Sequence, residues 1–282
     1  AETRFDAERI LQDALFADLF ASGPAHYPPI PSSVDDFSKI SQVAAQAFAQ
    51  RDFRQSNAVL SLAGDVDAQL LGSIKAGAQT GGAMDAPVDS TLASTPGSGT
   101  KSAFVTGLGY AWAGPPIADV KAATAMDFIA DYLFDNDHGT LAHAIQKNNS
   151  DAFVNGQFIT LHNPGVLLLT ISGAASDALR TQVNDAVAAM QRPMDAKAFE
   201  AARQAFEYHL FSQMQTPMGR ADNFGWYAAE GNASYAPGSP SGEYLKAAAS
   251  LDPAYVAQTV RTYLQHPALE ELISTQRKES ST

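Results

Sequence analysis

The sequence contains no cysteine, which excludes thiol catalysis, disulfide bonds, zinc ribbons and iron–sulfur clusters. Its 282 residues carry 18 Lys and Arg against 30 Asp and Glu, a net charge of −12. That balance argues against nucleic acid as a partner, because phosphate binding needs clustered cations. No apolar run approaches the roughly 20 residues needed to span a bilayer. What remains is an acidic chain with 45% apolar residues, enough for a large packed core.

A stretch rich in Gly, Ser, Thr and Pro divides the chain. Residues 81–100 hold few large apolar side chains, which is typical of a linker. We therefore predict one unit over residues 1–80, a linker over 81–100 and a second unit over 101–282. Helical and strand patterns are mixed in both units, so the predicted fold class is α+β. We expect an antiparallel or mixed sheet with helices packed on one face, and a first unit that is incomplete.

Hydrophobic periodicity places the elements within the two units. In the first unit it predicts helices over Phe5–Ala21 and after Ser33, and a short strand over Ala58–Ala63. In the second unit it predicts strands over Ser102–Tyr110, Ala152–Leu161 and Val166–Ser172, and helices that begin near Pro116, Ser176, Asp195, Met218 and Asp252. The order of elements after Ser33 recurs after Ser250, which suggests two related repeats.

The histidines form no recognisable catalytic motif. Helical zinc sites need two His on one helix face with a carboxylate beside them, as in H-E-x-x-H or H-x-x-E-H. None of the six histidines begins or ends such a motif. The nearest group is Asp135–His138 with His143, which we interpret as a polar loop after a helix end; a surface metal site is the alternative. Gly107-Leu108-Gly109 lacks the third glycine of a dinucleotide fingerprint.

Three stretches carry a family resemblance. Ser56–Asp67 resembles the strand that closes the first repeat of the zinc peptidase family that includes insulin-degrading enzyme, pitrilysin and mitochondrial processing peptidase (the inverzincins). Leu108–Phe134 is similar to the opening of that family's next repeat, and Gly139–Gly165 to the helix and hairpin that follow. The resemblance implies paired α+β domains that close around an extended peptide.

The resemblance also implies where the zinc chemistry lies. The family's zinc is held by H-x-x-E-H and a distant Glu in the first domain of the catalytic half, which would lie upstream of Ala1. This chain by itself would then hold no cofactor, and zinc would enter only through a catalytic domain. We read the start at Ala1 as upstream sequence lost by processing or as a start within a longer protein.

The second domain of active family members contributes an Arg and, seven residues later, a Tyr that contact substrate near the zinc. The matching positions here are Gln146 and Phe153. Gln lacks the charge and fork geometry of a guanidinium, and Phe lacks the hydroxyl that donates to an oxyanion. The resemblance therefore implies a degenerate substrate-binding pair and no catalytic residue in this chain.

The favoured hypothesis is a non-catalytic domain or subunit that encloses or binds peptide or unfolded protein. It would do so with a zinc-bearing peptidase half or a homologous subunit. One alternative is the C-terminal part of an active zinc metalloendopeptidase whose zinc domain lies upstream. A second alternative is a structural, core-type assembly subunit. The surplus of carboxylates predicts a preference for basic or neutral peptides. The expected location is extracytoplasmic in a bacterium, periplasmic or secreted.

Overall fold

The computed structural model describes residues 6–21, 38–77, 85, 89–239 and 242–274. Within these ranges the helices are α1 (Ala7–Leu19), α2 (Gln42–Asp52), α3 (Ala68–Gly77), α4 (Val120–Phe134), α5 (Thr140–Asn148), α6 (Asp177–Met190), α7 (Ala196–Gln213), α8 (Pro217–Ala229), α9 (Glu243–Ala249) and α10 (Pro253–Tyr263). The strands are β1 (Ser98–Ala103), β2 (Gly107–Ala113), β3 (Phe153–Ile159), β4 (Val166–Ser172) and β5 (Ala268–Ser274), and short 3₁₀ turns cover Gln55–Asn57 and Ala233–Tyr235.

The strands form one mixed sheet in the order β1-β5-β2-β4-β3. β1 runs parallel to β5, and the other pairs are antiparallel. Tyr110 of β2 lies opposite Leu169 of β4 on one side and Leu269 of β5 on the other. The inner strand β4 is buried along six of its seven residues, as its continuous apolar sequence requires. The predicted α+β fold with a mixed sheet is confirmed.

The main core lies between one face of this sheet and the helices that follow β2. Alternate residues of β2, namely Leu108, Tyr110 and Trp112, point into it, while Ala111 points to the other face. Helix α4 is the central helix of this layer, with ten buried residues. Its Phe128 packs edge-on against Phe206 of α7, with the ring centroids 5.8 Å apart.

Helix α1 covers the opposite face of the sheet, a feature that the sequence did not indicate. Its Leu11, Leu15 and Leu19 pack against residues of β2, β4 and β5. A Cβ at Gly109 would lie 2.8 Å from Leu15 Cδ1, so a glycine lets the helix approach the strand closely. Asn155 Nδ2 of β3 donates to Glu8 Oε1 over 2.6 Å. The glycines of residues 107–109 therefore serve packing.

Two strand predictions are wrong. The stretch predicted as one strand over residues 102–110 forms the end of β1 and most of β2, because the chain turns at 104–106 and β5 lies between the two strands. Residues 58–63 form no strand among the described residues. An isolated strand leaves its backbone N–H and C=O groups without partners, so it needs a neighbouring strand to be stable.

Four of the predicted helix starts in the second unit are confirmed, whereas the helix predicted to begin near Pro116 starts at Val120, with Asp119 as its N-cap. Ser176 Oγ accepts from Leu179 N, Asp195 and Asp252 cap α7 and α10, and Pro217 occupies the first turn of α8. The start predicted at Ser33 lies outside the described residues; the described helix α2 begins at Gln42, with Ser41 as its N-cap. The unit boundaries at 80 and 100 stay a prediction. No described helix is both long and apolar enough to cross a membrane.

Candidate functional site

The two positions singled out by the resemblance flank the connection between α5 and β3. Gln146 is half-buried on α5, and its Nε2 donates to Asn136 Oδ1 over 2.8 Å. Phe153 is the first residue of β3, and 49% of its surface is exposed. Neither side chain supplies a charge or a hydroxyl at this place. The arrangement offers an exposed apolar ring and an amide that is already hydrogen-bonded to Asn136.

The loop before α5 is ordered by hydrogen bonds. Asp135 Oδ1 accepts from the backbone N–H groups of Asp137 and His138, at 2.8 and 3.3 Å. His143 Nε2 lies 2.8 Å from the carbonyl oxygen of Asp137. A Cβ at Gly139 would lie 2.5 Å from the Asp135 carbonyl oxygen, so the loop requires glycine there. The predicted helix end and polar loop are confirmed.

His138 has a further set of neighbours on two helices. Its Nε2 lies 2.9 Å from Asp131 Oδ1 on α4, and its Nδ1 lies 2.9 Å from Asp135 Oδ1. His209 of α7 places Nδ1 3.1 Å from the same Asp131 oxygen. The two imidazole rings contact each other, with their centroids 3.6 Å apart. We call Asp131, His138 and His209 the Asp–His–His cluster.

Sequence reasoning found His138 but missed His209, because the two lie far apart along the chain. The sequence did contain a signal for this contact, in the equal spacing of residues on α4 and α7. Phe128 and Asp131 are three residues apart on α4, and Phe206 and His209 are three residues apart on α7. Residues at that spacing share a helix face, so the buried Phe128–Phe206 contact brings Asp131 and His209 together.

A second polar cluster includes Asp127 and Thr124 of α4, the helix that carries Asp131. Burial raises the pKa of Asp127 to about 7, although the hydroxyl of Tyr244, which donates to Asp127 Oδ2 over 2.8 Å, partly offsets this rise. Burial also raises the pKa of Tyr244 and of Tyr235, whose hydroxyl lies 3.0 Å from Thr124 Oγ1. These hydrogen bonds connect α4 to α9 through Tyr244 and to the 3₁₀ turn through Tyr235.

A second buried carboxyl lies under α1. Glu270 of β5 is 2% exposed, and its Oε1 is 3.6 Å from Lys101 Nζ. Burial raises the pKa of Glu270 to about 7; Asp18 adds to this rise, while Lys101 opposes it. A Cβ at Gly99, the residue opposite Glu270 on β1, would lie 2.5 Å from Oε1. The close backbone leaves no room here for a ligand.

A small cavity of about 200 Å³ opens between α1 and the end of α10. It is lined by Leu19, Leu92, Ala93, Pro96, Ala113, Thr262, Tyr263, Gln265 and His266. Sites for small molecules are usually larger, roughly 300–1,000 Å³. The cavity therefore does not indicate a small-molecule substrate.

No family model matches the sequence, and no curated protein matches it. Solved structures do match. A protease from Helicobacter pylori superposes with a TM-score of 0.75 at 14% identity, over 96% of this chain and 68% of that one. A peptidase M16 inactive domain from Pseudomonas fluorescens gives a TM-score of 0.66 at 13% identity, over 98% of this chain and 70% of that one. The chain has the fold of M16 peptidase domains.

A third solved structure widens the range of proteins with this fold. It is a chain of complex III2 from Candida albicans, which matches with a TM-score of 0.68 at 8% identity. The match covers 93% of this chain and 66% of that one. The insulinase-like fold is thus found in a protease, in an inactive peptidase domain and in a chain of complex III2, and the fold alone does not choose among these activities.

Proposed function

We propose that the chain is a non-catalytic, insulinase-like domain that encloses peptide together with a zinc-bearing peptidase half. The proposal is supported by the M16 fold, by the absence of H-x-x-E-H from the sequence and by the replacement of the Arg and Tyr positions by Gln146 and Phe153. In this account the partner half supplies the zinc, and the present chain supplies one wall of the chamber.

The observation that carries the proposal is the apolar surface of residues 40–71. Nine of the seventeen large apolar side chains that are exposed in the described chain lie in this stretch. They are Ile40, Val43, Phe48, Phe53, Val59, Leu60, Leu62, Leu70 and Leu71. Helix α2 buries none of its residues. Clustered exposed apolar residues are typical of protein–protein interfaces, so we expect this surface to contact the partner.

Residues 58–63 have the composition of a strand but no strand beside them among the described residues. A Cβ at Gly225 of α8 would lie 3.5 Å from Ser61 Cβ, so the segment runs against α8 on one side. On its other side a strand of the partner would pair with the backbone groups and cover Val59 and Leu60. Addition of a strand to an open backbone edge is a common mode of recognition.

The peptide itself would meet the edge strand β3. Among the described strands only β4 pairs with β3, so β3 has an open edge. Phe153 at its start offers an exposed ring, and Gln146 lies on the preceding helix. An extended peptide can use backbone hydrogen bonds along such an edge, with side chains setting the preference.

Site-specific photocrosslinking in the source cells tests the partner. A photoreactive amino acid at Leu60, which is 63% exposed, should capture a protein segment that contains H-x-x-E-H. The matched control is the same amino acid at Tyr208 of α7, which is 69% exposed and lies outside the proposed interface. Mass spectrometry of the crosslinked product identifies the segment.

The outcome separates the alternatives. The proposal is supported if a separate chain with H-x-x-E-H is captured at position 60 and not at position 208. An intramolecular crosslink to an upstream zinc domain of the same polypeptide would make the chain the C-terminal part of an active metalloendopeptidase. Capture of subunits of a large complex without that motif would favour the core-type assembly role, which the likeness to the complex III2 chain suggests. Equal capture at positions 60 and 208 would contradict a specific interface.

A further inference from the structure

The Asp–His–His cluster lies where three parts of the fold meet. Asp131 is on α4, His138 is in the loop that follows this helix, and His209 is on α7. The packed pair Phe128 and Phe206, one helical turn before Asp131 and His209, holds the two helices in register. Core packing therefore fixes the positions of the helices that carry Asp131 and His209.

We propose that this cluster binds a divalent transition-metal ion, with Zn²⁺ as the representative ion. One ligand atom from each of the three residues lies within 4.8 Å of the others. Zinc bonds to His nitrogen and carboxylate oxygen are roughly 2.0–2.2 Å long, which separates tetrahedral ligand atoms by about 3.3 Å. The observed separations of 2.9 and 3.1 Å from Asp131 Oδ1 need to grow by only a few tenths of an ångström.

Hydrogen bonds satisfy this arrangement only when His138 carries a proton on both of its nitrogens. A neutral imidazole carries a proton on only one nitrogen. His138 has a carboxylate oxygen 2.9 Å from both of its nitrogens, so in the neutral ring one of these contacts joins two acceptors. A metal ion bound at His138 Nε2 removes the need for the second proton, because Asp131, His138 and His209 can each offer it a lone pair.

Asp135 completes the site from behind. Its Oδ1 lies 2.9 Å from His138 Nδ1 while it also accepts from the backbone N–H of Asp137. A histidine that binds a metal through one nitrogen commonly donates the other N–H to a carboxylate, which fixes the ring and raises its basicity. Asp135 is held in place to accept this N–H from His138.

The three side chains are partly open to solvent, with exposed fractions of 33% for His138, 17% for Asp131 and 26% for His209. Water can therefore reach the ion and fill the fourth position. Two imidazoles and one carboxylate suit Zn²⁺ and its neighbours better than Mg²⁺ or Ca²⁺, which prefer oxygen ligands. The ion would fasten α4 and its following loop to α7. This inference does not depend on the proposed function.

Equilibrium dialysis of the full chain, first stripped with a chelator, tests the site with Zn²⁺, Mg²⁺ and Ca²⁺. We expect one tightly bound Zn²⁺ per chain and no stoichiometric Mg²⁺ or Ca²⁺. His138→Ala and His209→Ala should each weaken Zn²⁺ binding by at least about 100-fold, and Asp135→Asn, which loses the supporting carboxylate, by about 10-fold. Bound Co²⁺ should show the visible absorption of a tetrahedral site in the original chain and lose it in these His variants.

The matched control is His266→Ala, which removes an exposed histidine from the turn before β5, outside the cluster. It should leave Zn²⁺ affinity unchanged. Asp131→Asn keeps the side-chain size, so it reports on metal binding even where an alanine variant fails to fold; circular dichroism checks each fold. The proposal is overturned by a chain that binds no Zn²⁺, by unchanged affinity in His209→Ala or Asp131→Asn, or by an equal loss in His266→Ala.

Discussion

Glu270 lies on β5 with 2% of its surface exposed, close to Asp18 and 3.6 Å from Lys101 Nζ. Its pKa is raised to about 7, mainly by burial. In the unfolded chain a Glu titrates near 4.3. Between these two pKa values, Glu270 is therefore protonated in the folded state and ionised in the unfolded state. Ionising Glu270 within the fold costs free energy, and this cost grows as the pH rises toward 7.

We expect the free energy of unfolding to fall as the pH rises from about 4.5 to 7. Glu270→Gln removes the ionisation while keeping the shape, so it should stabilise the chain by on the order of 2–3 kcal/mol at pH 8 and have little effect at pH 4. Urea unfolding at both pH values measures the difference. Asp127, whose pKa is also raised to about 7, has the same sign of effect, so some pH dependence should persist in this variant.

The control for this experiment is Asp185→Asn, which changes one exposed carboxyl of α6. It should shift stability by no more than about 0.5 kcal/mol at either pH. A stabilisation by Glu270→Gln that is equal at pH 4 and pH 8 would show that the effect does not come from ionisation. A chain whose stability is constant between pH 4.5 and 7 would contradict the account of both carboxyls.

At the scale of elements, two apolar segments of similar character have different environments. Helix α1 lays Leu11, Leu15 and Leu19 against the sheet and buries them. Residues 58–63 expose Val59, Leu60 and Leu62 because no strand in the described chain pairs with them. The contrast shows that α1 belongs to the core around the sheet, whereas residues 58–63 leave these apolar side chains exposed.

A pair of leucine substitutions tests this contrast. Leu15→Ala removes a fully buried side chain under the sheet, and we expect a loss of about 2–5 kcal/mol in unfolding free energy. Leu60→Ala removes a side chain that is 63% exposed and should change stability by no more than about 0.5 kcal/mol. Chemical denaturation of both variants gives the values. Equal losses in the two variants would be inconsistent with the described packing.

Periodicity was enough to predict most helices and the β3–β4 hairpin, because each of these elements carries its own pattern or turn. It failed for residues 58–63, since strand formation depends on a second strand that the pattern cannot reveal. It also missed the turn at 104–106 between β1 and β2 and the placement of α1 on the second face. These features depend on contacts between parts of the chain that are distant in sequence.

The residues of the candidate site also differ in how far the sequence could predict them. Gln146 and Phe153 came from the resemblance, and their role in peptide binding stays a prediction. His138 was visible as part of a polar loop, but its meeting with His209 depends on the packing of α4 against α7. The raised pKa values of Asp127 and Glu270 depend on burial, which composition does not report.

At the scale of the whole molecule, the charge of −12 and the M16 fold lead to one functional expectation. An acidic surface attracts basic peptides and repels acidic ones, and this attraction weakens as salt rises. A domain that lacks H-x-x-E-H would bind peptide but would not activate water to cleave it. The extracytoplasmic location and the identity of the partner remain predictions.

The most direct test of the central claim uses the purified chain alone with two internally quenched fluorescent peptides of equal length, one basic and one acidic, at low salt. Binding and cleavage are followed together, with added Zn²⁺ and again with chelator. We predict that the basic peptide binds at least several-fold more tightly and that neither peptide is cleaved. Chelator-sensitive cleavage by the chain alone, or equal affinity for the two peptides, would contradict the account.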